Sequence, residues 1–362
     1  MQRRDFLRLA AAVTVLPAAS PRPARAAEEA PFQVHQWRRD ERNPVLPPGG
    51  GSFDKGCCMN PFVVIQGDEY FLFYAGADGS GARRICLATC PIADVTAWKR
   101  HGPLFERGGK GSFDETWCVL PCLKKIGDKW HMYYSGRSAD KGAGLQGFRG
   151  IGLAVSDDLR NWKRYSDQPL LLGDGVAEFT GNKGIAGGGP VITLPQAAEG
   201  TGPQADASVR YRMYYTLAVG TPSKDLLVDQ AKFAVIAESA DGLTWTDRKV
   251  ILRPRLDARY ENAAVIALNP WKTEKGWRAI YAGIGTQFGA YSICEAASDD
   301  GVTWRRGKPG ENLALAPTGK GWESKMTEYP HVVREGDKLR LFYCGNGYGT
   351  TGIGTATADP IA

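Results

Sequence analysis

The chain has 362 residues, 43% hydrophobic and 23% charged, with a formal net charge of +6. That balance supplies a buried core and excludes an intrinsically disordered chain. Several of the positive charges lie in the first residues and the rest scatter through loops, so no Lys/Arg run marks a nucleic-acid surface.

The N-terminus reads as an address rather than as fold. Arg3-Arg4-Asp5-Phe6-Leu7 precedes a short alanine-rich apolar run that closes on Ala24-Arg25-Ala26. This resembles a twin-arginine export signal spanning 1–26, and the run is too short to cross a membrane. The expectation is a mature domain over 27–362, periplasmic or extracellular, without membrane insertion and monomeric.

From there one script recurs roughly every 60–80 residues. Gly51-Ser52-Phe53-Asp54 returns as Gly111-Ser112-Phe113-Asp114, and a proline follows each Asp by seven residues, Pro61 and Pro121. Glu323 leads to Pro330 at the same offset, and Glu178 and Glu261 open looser copies. Each copy continues with an apolar run, a tight turn such as Gly67-Asp68 or Gly127-Asp128, and an aromatic run ending Tyr74-Ala75-Gly76, Tyr134-Ser135-Gly136, Tyr281-Ala282-Gly283 or Tyr343-Cys344-Gly345. A third run follows, and a tryptophan closes the unit: Trp98, Trp162, Trp245 or Trp304. Short strands with turn punctuation predict an all-β chain, and four-stranded units repeated around an axis predict a five-bladed β-propeller. The fifth copy lacks its tryptophan, so the segment from Val34 to Leu46 is expected to complete it. N- and C-terminal segments then share the last blade.

The eight cysteines read first as small core residues, then as a disulfide between inner strands (Cys58 with Cys118), and last as zinc ligands. The tracts Ser239–Trp245 and Ser298–Trp304 read as hairpin turns locked by an Asp side chain, with the tryptophan packed between blades.

In such a topology the entries to the inner strands, and the loops between second and third strands, gather on one face of the axis. The entries are rich in carboxylates: Asp54, Asp114, Glu115, Glu178, Glu261, Glu323 and Glu328. Converging acids suit glycoside hydrolysis, in which one carboxyl protonates the leaving oxygen and another activates water or attacks. The opening Asn43-Pro44-Val45-Leu46, the Tyr-Ser-Gly strand end and Ile151–Trp162 resemble the five-bladed propeller glycosidases, including the arabinanase/β-xylosidase, invertase/levansucrase and mannoside-phosphorylase groups. The resemblance implies a blade-one Asp as base or nucleophile, a blade-two Asp that orients, and a later Glu as acid. Those families often place the first carboxylate directly before a proline, where this chain has Asn60.

The expected catalytic set is Asp54, Asp114, Glu261 and Glu328. The expected substrate-binding set is Asn60, Glu115, Trp117, Arg149, Asn182, Lys183, Asn262, His331 and Tyr348. An acid repeated in every blade has a second reading, as a cap on the turn into the strand. Residues that break the repeat, chiefly Glu115, Asn182, Lys183, Asn262, Glu328 and His331, carry the functional expectation more strongly. The partner is a carbohydrate, no cofactor is expected, and the residues leave open a structural Ca2+ in the channel. The leading expectation is an exported glycoside hydrolase; the alternatives are a phosphorylase or transglycosylase with a basic cluster beside the acids, and a non-catalytic carbohydrate-binding propeller.

Overall fold

Hairpins build the molecule. In the computed structural model, which describes residues 31–140, 147–180, 185–193, 211–220 and 230–361, the N-terminal strand is β1 (Arg38–Arg39). Blade 1 comprises β2 (Cys57–Gln66), β3 (Glu69–Ala77), β4 (Arg83–Pro91) and β5 (Lys99–Pro103). Blade 2 comprises β6 (Trp117–Ile126), β7 (Lys129–Arg137), β8 (Phe148–Ser156) and β9 (Trp162–Arg164), with β10 (Leu171–Leu172) also pairing β8. Blade 3 comprises β11 (Ile185–Thr193), β12 (Tyr211–Gly220), β13 (Gln230–Ser239) and β14 (Thr246–Leu252). Blade 4 comprises β15 (Ala264–Thr273), β16 (Gly276–Gly285), β17 (Ala290–Ser298) and β18 (Leu313–Leu315). Blade 5 comprises β19 (Glu328–Glu335), β20 (Lys338–Cys344), β21 (Ile353–Ala358) and β1, which pairs antiparallel with β21. The chain is an all-β, five-bladed propeller whose termini share one blade. Among the described residues no helix exceeds a single turn, and none is long and apolar enough to cross a membrane.

The two-residue turns carry the expected glycines at positive φ, Gly67 at 57°, Gly127 at 60° and Gly336 at 61°, the conformation that such hairpins require. The inner strands β2, β6, β11, β15 and β19 each touch the next, and β19 touches β2. Each inner strand carries one β-bulge, and in each a residue of the bulge has positive φ: Asn60, Leu120, Gly189, Ala267 and Tyr329.

Tryptophans join blade to blade. Trp162 packs edge-on against Phe73 of blade 1, Trp245 against Tyr133 of blade 2, and Trp304 against Tyr214 of blade 3. Trp98 of blade 1 meets Phe342 of blade 5 in the same way. Trp37 completes the set, entering β1 and donating its indole N–H to Glu295 of blade 4 at 2.8 Å. The Asp-locked turns form as expected. Asp241 Oδ1 accepts the N–H groups of Leu243 and Thr244, and Asp300 Oδ1 those of Val302 and Thr303.

Within four blades a buried acid, a tyrosine 20 residues later and an arginine two residues past the closing tryptophan form one cluster. Asp54 accepts from Tyr74 Oη at 2.9 Å and Arg100 Nε at 2.9 Å. Asp114 accepts from Tyr134 Oη at 2.8 Å and Arg164 Nη2 at 2.8 Å. Glu261 accepts from Tyr281 Oη at 2.5 Å and Arg306 Nη1 at 3.1 Å. Glu323 accepts from Tyr343 Oη at 2.9 Å and pairs with Arg39 Nε at 2.7 Å.

Breaking such a pair strands a buried charge. Arg164→Met is therefore expected to lower the unfolding free energy by about 3 kcal/mol in urea denaturation. Arg305→Met, which breaks the exposed pair with Asp299, is expected to change it by less than about 1 kcal/mol. Equal losses for the two variants would remove the triads' structural role.

Candidate functional site

The bulges and the starts of the third strands surround a cavity of about 340 Å3 on the propeller axis. Inner strands contribute Met59, Asn60, Trp117, Val119, Leu120, Gly187, Gly188, Ile266 and Tyr329. Third strands contribute Arg83, Phe148, Lys232 and Tyr291, and the loop after β20 contributes Tyr348. Ser135, Thr216 and Ala218 come from the second strands. This is the face on which strand entries and second-to-third loops were expected to meet.

Beyond the bulges lies a smaller axial cavity of about 30 Å3, lined by the bulge prolines, Asn269 and His331. Asn60, Leu120 and Tyr329 stand between the two cavities.

Glu328 opens β19 directly before Tyr329 and is fully buried; among the described residues no side chain hydrogen-bonds to either carboxylate oxygen, and the backbone N–H of Tyr348 is the near donor. Burial drives its carboxyl well above the usual range, opposed by the nearby charges of Lys232 and Arg83. Burial also pulls Lys232 down to about 8, opposed by Glu328. Burial thus favours the neutral form of each group, while each favours the charged form of the other. Arg83 lies with its guanidinium 3.9 Å from the Trp117 ring centroid, and among the described residues its Nε has no hydrogen-bond partner. Arg137 covers the same ring at 4.3 Å, and Phe148 meets it edge-on. With arginines against it, Trp117 is a cation–π element of the wall. The opposite wall is aromatic. Tyr291 contacts Tyr329 and Tyr348 at 5.9 and 5.8 Å between centroids, and Tyr348 is 43% exposed at the mouth.

The expected site residues divide. Asn60, Trp117 and Tyr348 line the cavity; Glu328 is not among the lining residues but directly precedes Tyr329, which is, and feels the charges of the lining residues Lys232 and Arg83. Asp54, Asp114 and Glu261 do not: each is fully buried and held by a tyrosine and an arginine inside its own blade. Glu178 is exposed and pairs with Arg253. Glu115 is partly exposed and accepts the Gly111 N–H at 3.1 Å, which closes a local turn. Asn262 ties a loop by accepting the Thr286 N–H at 3.0 Å. His331 lines the small cavity, donating from Nε2 to the Val63 carbonyl at 3.1 Å and accepting from Asn269 at 3.0 Å. Asn182 and Lys183 lie outside the described residues, as does the side chain of Arg149. All eight cysteines are buried and unpaired, and among the described residues no cluster of His, Cys, Asp or Glu could hold a metal.

Arg83, Phe148, Lys232 and Tyr291 escaped the reading of the sequence. A signal existed for Lys232, a lone cation directly before the apolar run Phe233-Ala234-Val235-Ile236.

No family model matches the sequence. The uncharacterized protein Rv1502 of Mycobacterium tuberculosis is 25% identical over 305 residues, which is 82% of this chain and 90% of that one. Among solved structures, a member of the GH130 family of mannoside phosphorylases, described as containing glycoside hydrolases that target β-1,2-mannosidic linkages in Candida mannan, superposes with a TM-score of 0.66. It shares 17% identity and covers 92% of this chain and 96% of its own. The β-1,2-mannobiose phosphorylase of Listeria innocua, in complex with β-1,2-mannobiose, gives a TM-score of 0.64 at 15% identity over 89% and 96%. The fold is shared with these propellers.

Burial holds His331 down to about 4, below the ordinary value of about 6.5. Its neutral form is the folded form, so the unfolded chain gains the proton first as pH falls. Stability is thus full above about pH 6.5 and drains away toward pH 4, by about 3 kcal/mol at the limit. Urea denaturation at pH 7.5, 5.5 and 4.5 checks this. His331→Gln is expected to flatten the difference, and an unchanged acid slope would refute the assignment.

Proposed function

We propose that the chain is a carbohydrate-active enzyme that breaks a glycosidic bond in the axial cavity, with Glu328 as proton donor. The observation that carries the reading is Glu328 itself, a fully buried carboxyl that no described side chain hydrogen-bonds, directly before Tyr329 in the wall of a cavity large enough for a sugar ring. A carboxyl kept neutral near pH 7 can protonate the leaving oxygen, and Lys232 and Arg83 then stabilise the carboxylate that forms.

Phosphorolysis is the form of the reaction that the surroundings favour. Hydrolysis needs a second carboxylate to activate water or to attack. Among the described residues the cavity lining holds none, and the repeated acids are committed to arginines. Inorganic phosphate brings its own nucleophilic oxygen, and Arg83 and Lys232 offer charge for it. The phosphate oxygen bonds to the anomeric carbon as the glycosidic C–O bond breaks, and the Glu328 proton passes to the leaving oxygen. The similarity to the Listeria innocua phosphorylase makes β-1,2-mannobiose the first substrate to try.

Incubation of the full protein with β-1,2-mannobiose and inorganic phosphate is expected to release mannose 1-phosphate. Glu328→Gln should lose about 100-fold or more in kcat/KM. Asp114→Asn should lose stability while each folded molecule keeps its rate within a few-fold. Free mannose released equally without phosphate would establish hydrolysis instead. Full activity in Glu328→Gln would overturn the acid assignment, and inertness toward every glycoside would leave a binding propeller.

We also propose that the chain is exported after folding. The Arg3-Arg4 pair supports this, as do eight buried thiols without a disulfide, a state that suits folding in a reducing compartment. Replacing both arginines with lysine is expected to hold the protein in the cytoplasm on fractionation. Periplasmic protein from that variant would reject the route.

A further inference from the structure

Five residues at positive φ ring the axis, one per inner-strand bulge, and four of them are Leu120, Gly189, Ala267 and Tyr329. The fifth, Asn60 at φ 55°, is the one carboxamide in that ring. It is 3% exposed, and among the described residues both its Nδ2 and its Oδ1 lack a hydrogen-bond partner. A buried donor and a buried acceptor left empty on one side chain cost stability, and the left-handed backbone adds to that cost. Such a group persists where a ligand supplies the missing partner.

Its placement specifies the ligand. The Asn60 side chain lines the 340 Å3 cavity, and its backbone N–H donates to Cys344 Sγ at 3.2 Å. Cys344 is the residue paired in register with Glu328 across β19 and β20. Asn60 and the proton donor are therefore neighbours at the junction of blades 1 and 5. A carboxamide offers one donor edge and one acceptor edge in a plane, which matches a sugar hydroxyl or a vicinal pair, since each hydroxyl both gives and takes a hydrogen bond. An anion would leave the acceptor edge unmet.

We propose that Asn60 is the specificity-determining residue of the site. It reads a ring hydroxyl beside the glycosidic oxygen and so fixes the sugar against Glu328. This rests on the carbohydrate reading given above.

The test is calorimetric binding of methyl β-D-mannopyranoside and its 2-, 3-, 4- and 6-deoxy analogues to the full protein. Asn60→Gly removes the amide at a position whose φ suits glycine, and Asn60→Asp keeps the shape and one acceptor edge but loses the donor. The parent protein is expected to bind one deoxy analogue roughly tenfold or more weakly than the complete sugar. In both variants the complete sugar should weaken by a similar factor, and the gap for that analogue should collapse while the other analogues keep theirs. A gap that survives in both folded variants overturns the inference and leaves the carbohydrate reading standing. Failure of the parent protein to bind any of the five sugars overturns both.

Discussion

The acid–tyrosine–arginine cluster is the interaction on which the rest depends. Its acid enters from the turn before the inner strand, its tyrosine from the second strand, and its arginine from the outermost strand or just before it. One buried carboxylate thus ties the inside of a blade to its rim. Burial makes the ion pair obligatory, because an unpaired carboxylate in that setting would pay its full desolvation cost. The tryptophan two residues before each arginine packs on the preceding blade, so the same short segment closes one blade and docks it on another. The repeated acids are thereby neutralised away from the axis, and the cavity takes its chemistry from residues that do not repeat.

Blade 3 departs from this rule. The position two residues past its tryptophan is Asp247, which is exposed, and among the described residues the buried hydroxyl of Tyr215 has no partner. In the sequence, Lys183 stands seven residues before Pro190, where the other blades carry an acid or its equivalent. Blade 3 also presents Gly187-Gly188-Gly189 to the axis, and a Cβ on Gly188 would come within 2.7 Å of Ser135 Oγ. It contributes space, with Lys232 beside it, whereas blades 1 and 5 contribute the unpartnered polar groups Asn60, Arg83 and Glu328. The cavity is therefore asymmetric within a nearly regular ring. A small polar ligand would find its hydrogen-bond partners on one side and room on the other.

Much of the architecture was legible because it is written in spacing. The seven-residue step from acid to proline, the Gly-Asp turns and the closing tryptophans each impose a local geometry, and five copies leave one way to bury their faces. Asp54, Asp114 and Glu261 misled because a carboxylate in an entry loop looks the same whether it faces the axis or the blade. Only the arginine two residues past the next tryptophan decides, and Trp98-Lys99-Arg100, Trp162-Lys163-Arg164 and Trp304-Arg305-Arg306 carry that information. Arg83 and Tyr291 were illegible for another reason. They begin third strands, and their approach to the axis follows from the neighbouring blade's position, as in the pairing of Arg83 with Trp117.

Glu328 and Lys232 show why a buried pair without a direct bond suits chemistry better than a closed ion pair. Among the described residues neither has a salt bridge, yet each feels the other's charge, and burial pushes both toward their neutral forms. A closed pair such as Asp114 with Arg164, at 2.8 Å, fixes its carboxylate in one geometry. In the proposed role Glu328 would give its proton to the leaving oxygen, and the nearby charges of Lys232 and Arg83 would lower the cost of that step. The same fold thus treats carboxylates in two ways. The four acids that meet a tyrosine and an arginine tie the inside of a blade to its rim, and among the described residues Glu328 has no such ion pair.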